Sequence, residues 1–358
     1  MTSAQSSAET YQRIVLVSRP KGVVVPGNFE LSTVPRPAGT SLATNEVLVK
    51  NIFLSLDPYM RGRMSLARSY ALPQPLNQTM LGTTAGVVVA SKYAGLKEGD
   101  YVTGQLGWAE MGVTTGDKLQ PVDTQKIPLT AYLGVLGMPG VTAWYGVNIL
   151  LNAQPGQTLV VSAASGAVGG VVGQLAKLKG CRVVGIAGGQ QKCDYVRDQL
   201  GFDACIDYKQ ARSGQELQAL FSAVLPEGID LLFENVGSSI FDASLFNLNP
   251  HAKIALCGMV AGYNGIAEPL KNASKLLTMR ATLQGFIVTE HMEIWPQAIN
   301  ELTGLLLNNK LQYRETITEG LAQAPQALIG LLSGQNFGKQ LVQLTSNVVP
   351  GELCKILT

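Results

Sequence analysis

Thr158-Leu-Val-Val-Ser-Ala-Ala-Ser-Gly166-Ala-Val-Gly169 is an apolar, β-branched run that breaks into a glycine-rich turn. Val171-Val-Gly-Gln-Leu-Ala-Lys-Leu-Lys179 follows with helical spacing, and Gly180 is placed to stop it. A strand, a glycine turn and a helix in this order match the dinucleotide fingerprint G-x-G-x-x-G, with Ala164 in the first glycine position. Gly166 would let the backbone approach a pyrophosphate, and Gly169 would let the helix pack close to the strand. Ala167 and Val168 lie between them, where the free amides and positive dipole of a helix N-terminus hold phosphate.

The next strand, Arg182-Val-Val-Gly-Ile-Ala187, runs into Gly188-Gly189-Gln190-Gln191-Lys192. An NAD site carries an acid near this tip to accept from the ribose hydroxyls. None is present, and Lys192 brings a cation, so the spacing predicts NADP(H) with Gly189 and Lys192 at its phosphate. Tyr208, at the end of the following strand, is placed to reach the same phosphate. The missing acid also lowers a methyltransferase reading.

Outward from the turn, Ala204-Cys-Ile-Asp-Tyr208, Ile229-Asp-Leu-Leu-Phe233 and Lys253-Ile-Ala-Leu-Cys257 read as further strands, and 192–200 as a helix closed by Gly201. Alternating strands and helices predict a parallel sheet with right-handed crossovers. The first 130 or so residues instead read as short strands between Gly and Pro, as in a barrel-like domain: Glu46-Val-Leu-Val-Lys-Asn-Ile52, Gly86-Val-Val-Val-Ala90 and Tyr101-Val-Thr103. From about Leu311 the chain returns to short segments. The fold class is therefore α/β, in two domains.

Composition narrows the function. Only 15% of the 358 residues are charged and 46% are hydrophobic, so the chain can bury a large core. A net charge of +2 without a basic run argues against a nucleic-acid partner. The uncharged stretch 129–151 is long enough for a bilayer, but Pro139, Asn148 and four glycines interrupt it, so it reads as a buried turn and helix start, not a membrane span. Five cysteines, an odd count with no Cys-x-x-Cys, read as free thiols of a reducing compartment. The polar N-terminus shows no leader, and a cytoplasmic location is expected.

The run Ser162-Ala-Ala-Ser-Gly-Ala-Val-Gly-Gly-Val-Val-Gly-Gln-Leu-Ala-Lys-Leu-Lys-Gly180 closely resembles the zinc-independent medium-chain dehydrogenase/reductases. Within them it looks like the group of prostaglandin reductases, leukotriene hydroxydehydrogenases, plant alkenal reductases and bacterial NADPH-dependent curcumin reductases. Phe53-Leu-Ser-Leu-Asp-Pro-Tyr-Met-Arg-Gly-Arg-Met64, Gly134-Val-Leu-Gly-Met-Pro-Gly-Val-Thr-Ala143, Glu234-Asn-Val-Gly237, Leu283-Gln-Gly-Phe286 and Asn336-Phe-Gly-Lys339 carry the same likeness. The resemblance implies a GroES-like, β-rich catalytic domain over 1–140 and 312–358, a Rossmann domain over 141–311, and a homodimer. Zinc-dependent relatives have Gly-His-Glu where this chain has Gly82-Thr-Thr-Ala-Gly86, and two histidines cannot supply a catalytic zinc, so no metal is expected. His251 and His291 read as ordinary surface or loop residues.

By the same resemblance the substrate is a small molecule, an α,β-unsaturated ketone or aldehyde, and NADPH delivers hydride to its β-carbon. Tyr263 matches the tyrosine that stabilises the enolate beside the nicotinamide ribose, and Tyr59 is a second candidate donor that, with Met60, lines the substrate pocket. Met138, Thr142, Asn235, Cys257, Phe286, Val288, Asn336 and Gly338 match positions around the cofactor. Relatives often carry a longer, proline-rich segment after the tyrosine, where this chain has only Gly265-Ile-Ala-Glu-Pro-Leu270, so a large substrate is not implied. The alternatives are a zinc-free quinone oxidoreductase and a non-catalytic NADPH-binding protein.

Overall fold

The computed structural model describes residues 10–265 and 268–344. The chain divides into two compact units: Met1–Leu133 with Ile317–Ser333 and Gln340–Thr358, and Gly134–Thr316 with Gly334–Lys339.

In the first unit, β1 (Thr10–Leu16) and β2 (Phe29–Pro35) form an antiparallel ribbon. A second sheet contains β3 (Glu46–Ser55), β4 (Thr84–Ser91), β5 (Tyr101–Gly104), β6 (Met111–Thr115) and β7 (Gln120–Pro121). Its order is β14-β15-β3-β4-β5-β7, with β6 also on β3, where β14 is Glu315–Glu319 and β15 is Lys339–Gln343. The register of β3 on β4 shifts between Asn51 and Phe53. At this irregularity the buried Asn51 donates to Ala109 O and accepts from Thr84 Oγ1, each at 2.8 Å, so the interrupted ladder leaves no orphaned amide there. A Cβ on Gly86 would lie 2.3 Å from Lys50 O, which is why a glycine stands inside β4. The core stacks Phe29 on Trp108 at 5.3 Å and closes over Met60, Met64 and Met80.

The second unit is built on β8 (Thr158–Ser162), β9 (Arg182–Ala187), β10 (Ala204–Asp207), β11 (Ile229–Glu234), β12 (Leu248–Leu256) and β13 (Thr282–Gly285). All neighbours pair in parallel, in the order β10-β9-β8-β11-β12-β13. This is the doubly wound order in which the winding reverses between β8 and β11, and a ligand binds outside the strand C-termini at that reversal. β8 is buried along its whole length, as a central parallel strand must be. The stretch 129–151 forms a 3₁₀ turn, the helix Met138–Tyr145 and a π-helical turn. No described helix is long and apolar enough to cross a membrane.

Candidate cofactor and active site

The predicted fingerprint turn lies where β8 meets helix α3 (Gly169–Leu178). A Cβ on Gly169 would sit 2.4 Å from Ala163 O, against rigid backbone, so only glycine admits this helix–strand contact. A Cβ on Gly166 would meet Ala163 O at 3.1 Å and nothing else within 4 Å, which leaves that face open to a ligand. The tight turn itself is taken by Ala163, with φ at 51°, one residue ahead of the Ala164 that aligns with the first fingerprint glycine. Ala164 is fully buried beneath the turn and belongs to its packing.

The loop Gly334–Lys339 lies along this turn. Gly338 N donates to Ser165 O at 3.1 Å, and Gly166 and Gly338 form a parallel bridge. Gly338 has φ of 76°, and a Cβ on it would lie 1.9 Å from Arg314 O, so no other residue fits there. Asn336 closes the loop on itself, donating from Nδ2 to Gly338 O at 2.7 Å. Arg314 stacks over Phe337 at 4.1 Å, and Tyr195 meets the same ring edge-on at 5.0 Å. Ser165, Gly166, Ala167, Tyr195, Arg314 and Gly338 line a small cavity at this point.

Lys192 joins the same loop: its Nζ donates to Gly334 O and Asn336 O, each at 2.8 Å. Burial and the nearby Lys209 push its pKa down. At the tip of β9, a Cβ on Gly188 would lie 2.8 Å from the Tyr208 hydroxyl and 3.0 Å from Lys209 Cε. Tyr208 and Lys209 therefore close on the Gly188–Gly189 turn, and Lys192 lies near enough to Lys209 for their charges to interact. Lys209 escaped the sequence reading because it lies one residue past a strand whose end was placed at Tyr208. Asp207 also reaches this turn, accepting from Gly189 N at 2.7 Å. That bond ties Gly189, with φ of 99°, into its turn.

Across the reversal point, Asn235 N donates to Ser162 Oγ and Asn235 Nδ2 to Ser162 O, both at 2.8 Å. Beside them, Glu234 is fully buried; its Oε1 accepts from the amides of Val236 and Gly237, while Oε2 has no hydrogen-bond partner among the described residues. Burial pushes its carboxyl up to about 7, with those amides pulling the other way. Burial and Glu234 likewise push the Cys257 thiol up to about 12. Glu234 opens the Glu234-Asn-Val-Gly237 stretch, but its burial is not legible there, since its neighbours come from the backbone turn after β11.

Tyr263 caps a 3₁₀ turn, and its hydroxyl is 3.3 Å from the position a Cβ on Gly258 would take. That position is also 3.3 Å from Asn235 O, so the phenol lies at the C-terminal edge of β11 and β12. Ile266 and Ala267, in the short segment after it, lie outside the described residues, as do the N-terminal tail and Cys354. Thr142 is bonded back to Met138 O at 2.7 Å within its helix. Phe286 packs on Tyr145 at 5.6 Å, and Val288 is buried beside it in sequence. His291 is more than a surface residue: it stacks on Tyr145 at 4.5 Å, and its Nε2 lies 3.0 Å from the Tyr145 hydroxyl.

In the first unit, Tyr59 opens the short helix Tyr59–Arg63, with Met60 buried in the core. Burial and Asp57 hold the Tyr59 phenol well above the usual tyrosine range, so it is a protonated donor at neutral pH. Among the described residues no group of three His, Cys, Asp or Glu side chains is placed to hold a metal.

Residues 12–122 match the family model described as the N-terminal domain of oxidoreductase, and 167–304 match the zinc-binding dehydrogenase model. The chain is 41% identical over 347 residues to the NADPH-dependent curcumin reductase of Escherichia coli, covering 94% of this chain and 97% of that protein. This chain belongs to the medium-chain dehydrogenase/reductase family. The NADP(+)-dependent 2-alkenal reductase of Nicotiana tabacum is 37% identical over 341 residues, covering 93% and 97% of the two chains. The crystal structure of CurA in complex with NADPH from Vibrio vulnificus superposes with a TM-score of 0.87 at 42% identity, covering 94% of this chain and 99% of that one. The chain is thus an oxidoreductase of the curcumin, alkenal and prostaglandin reductase group of the medium-chain family.

Proposed function

We propose that the chain reduces the C=C bond of α,β-unsaturated ketones and aldehydes with NADPH. The observation that carries this reading is the Tyr263 hydroxyl at the C-terminal edge of β11 and β12, beside the reversal point of the nucleotide-binding sheet. Likeness along almost the whole chain to curcumin and alkenal reductases supports it.

The residues fit the cofactor. Gly166 leaves space at the N-terminus of α3 for a pyrophosphate, and Lys192, Lys209 and Tyr208 supply donors for a 2′-phosphate. NADPH, when bound, supplies the hydride. Tyr263 would donate its O–H to the substrate carbonyl oxygen, on which negative charge builds. Tyr59, kept protonated by burial, is a second candidate donor, and Met60 supports it from the core beneath. Met138, Thr142, Phe286 and Val288 would frame the nicotinamide, and Asn235, Cys257, Asn336 and Gly338 would shape the crevice around it. The protein would act as a homodimer.

The test is loss of NADPH absorbance with a short 2-alkenal, a larger enone and a quinone. Turnover of the enones supports the reading. Turnover of the quinone alone sinks it in favour of a quinone oxidoreductase, and NADPH binding with no turnover favours a binding protein.

A further inference from the structure

Cys205 Sγ donates to Cys193 Sγ at 2.8 Å, the two thiols facing each other between β10 and the helix Gln190–Asp194. Among the described residues Cys181 and Cys257 have no sulfur neighbour of this kind: Cys181 bonds to Gln154 O, and Cys257 lies against Glu234. We propose that Cys193 and Cys205 form an oxidisable dithiol, which a peroxide closes into a disulfide behind the Gly188–Gly189 turn.

A disulfide needs its sulfurs at about 2.05 Å, so the pair must approach by only about 0.8 Å more. One sulfur is carried on a strand and the other on the helix that follows the glycine turn. Cys193 is buried and Cys205 is partly exposed, so a reagent as small as hydrogen peroxide reaches the Cys193 sulfur from the Cys205 side. The hydrogen bond from Cys205 favours the Cys193 thiolate, pulling that thiol down, and it is the thiolate that reacts.

The chemistry balances with the peroxide as oxidant. The Cys193 thiolate attacks the O–O bond, giving a sulfenic acid and, after proton uptake, one water. The Cys205 sulfur then attacks the sulfenic sulfur, the S–S bond forms, and the sulfenic oxygen leaves as a second water. Two thiols and one peroxide become one disulfide and two waters, and a dithiol reductant reverses the bond.

The location gives the bond a consequence. Lys192 precedes Cys193, and Asp207, which holds Gly189 N, lies two residues beyond Cys205. Drawing the two sulfurs together shifts both walls of the turn that faces the 2′-phosphate. This second half rests on the NADPH reading above; formation of the bond does not.

The experiment treats the full-length protein, without nucleotide, with hydrogen peroxide, blocks remaining thiols and digests it with trypsin without reduction. Cleavage after Lys192, Arg197 and Lys209 places Cys193 and Cys205 on separate peptides, 193–197 and 198–209. The expected result is one linked species joining them, lost on reduction and absent from Cys193→Ser and Cys205→Ser. The thiol count of the denatured protein falls by two from five. Peptides that carry only single-cysteine oxidation, or blocked thiols with no linked species, overturn the proposal. The KM for NADPH then rises about fivefold or more, the low end of typical coupling between sites, and recovers with dithiothreitol. A linked peptide with an unchanged KM overturns the coupling to the cofactor while leaving the dithiol, and Cys205→Ser with peroxide is the control.

Discussion

The ammonium of Lys192 donates to the carbonyl oxygen of Asn336 at 2.8 Å, across 144 residues of sequence. The residue read from the sequence as a phosphate ligand is therefore also a strut for the loop that lies along the fingerprint turn. Replacing it tests both roles. Lys192→Ala should lower kcat/KM for NADPH about tenfold or more while leaving NADH nearly unchanged, since a hydrogen bond to a charged group contributes about 1.5–3 kcal/mol. Amide exchange over Gly334–Lys339 should rise in the same variant. Equal losses with both nucleotides would remove the phosphate role, and unchanged exchange would remove the strut.

Tyr263→Phe keeps the ring and deletes the donor. Turnover of an enone should fall by about 10²–10³, as when one oxyanion donor is removed, with NADPH affinity preserved. Steady-state kinetics beside a direct NADPH titration separate the two. Full turnover in this variant would leave Tyr59 as the donor to test next.

Gly166 and Gly169 are three residues apart and should fail differently when replaced. Gly169→Ala drives a methyl into the Ala163 carbonyl at 2.4 Å and should cost about 1–3 kcal/mol of stability, the usual range for overpacking. Gly166→Ala, with its nearest atom at 3.1 Å, should fold with a near-native Tm and lose NADPH affinity instead. Melting curves with and without NADPH decide it, and a large loss of Tm in Gly166→Ala would refute the open face.

Glu234 should make the protein less stable as pH rises. Its carboxyl titrates near 4.5 when unfolded and about 7 when folded, so between those values the native state holds the extra proton. Stability gained from the neutral acid is complete at low pH and is lost as pH climbs through that window, by about 3 kcal/mol at most. Glu234→Gln keeps an acceptor for the Val236 and Gly237 amides and removes the proton, so its slope over this range should flatten. Urea unfolding of both proteins at about pH 5 and about pH 8 tests this; parallel slopes would assign the pH dependence to other groups.

What the sequence made legible was local. The β8 turn and α3 could be read because apolar alternation, two glycines and a helical period fall within about twenty consecutive residues. The strand after Gly180 and the missing acid at its tip were legible for the same reason. Arg314 over Phe337, Lys209 beside Gly188 and the His291–Tyr145 stack were not, because each joins segments remote in sequence. The helix predicted over 192–200 is present as Gln190–Asp194 continued by a π-helical turn, a change of hydrogen-bond pattern that leaves the apolar period almost unaltered. The left-handed residue of the turn is Ala163, one ahead of the Ala164 in the first fingerprint position, since the backbone turns as soon as β8 ends at Ser162.

Asn235 closes two hydrogen bonds onto Ser162, one from its backbone and one from its side chain. They join the ends of β8 and β11, the two strands between which the winding reverses. The width of the crevice is thereby fixed in the protein alone. A nucleotide entering it need not draw the strands together, so the ordering entropy of that region belongs to folding rather than to binding, and the lip is preorganised for each successive cofactor.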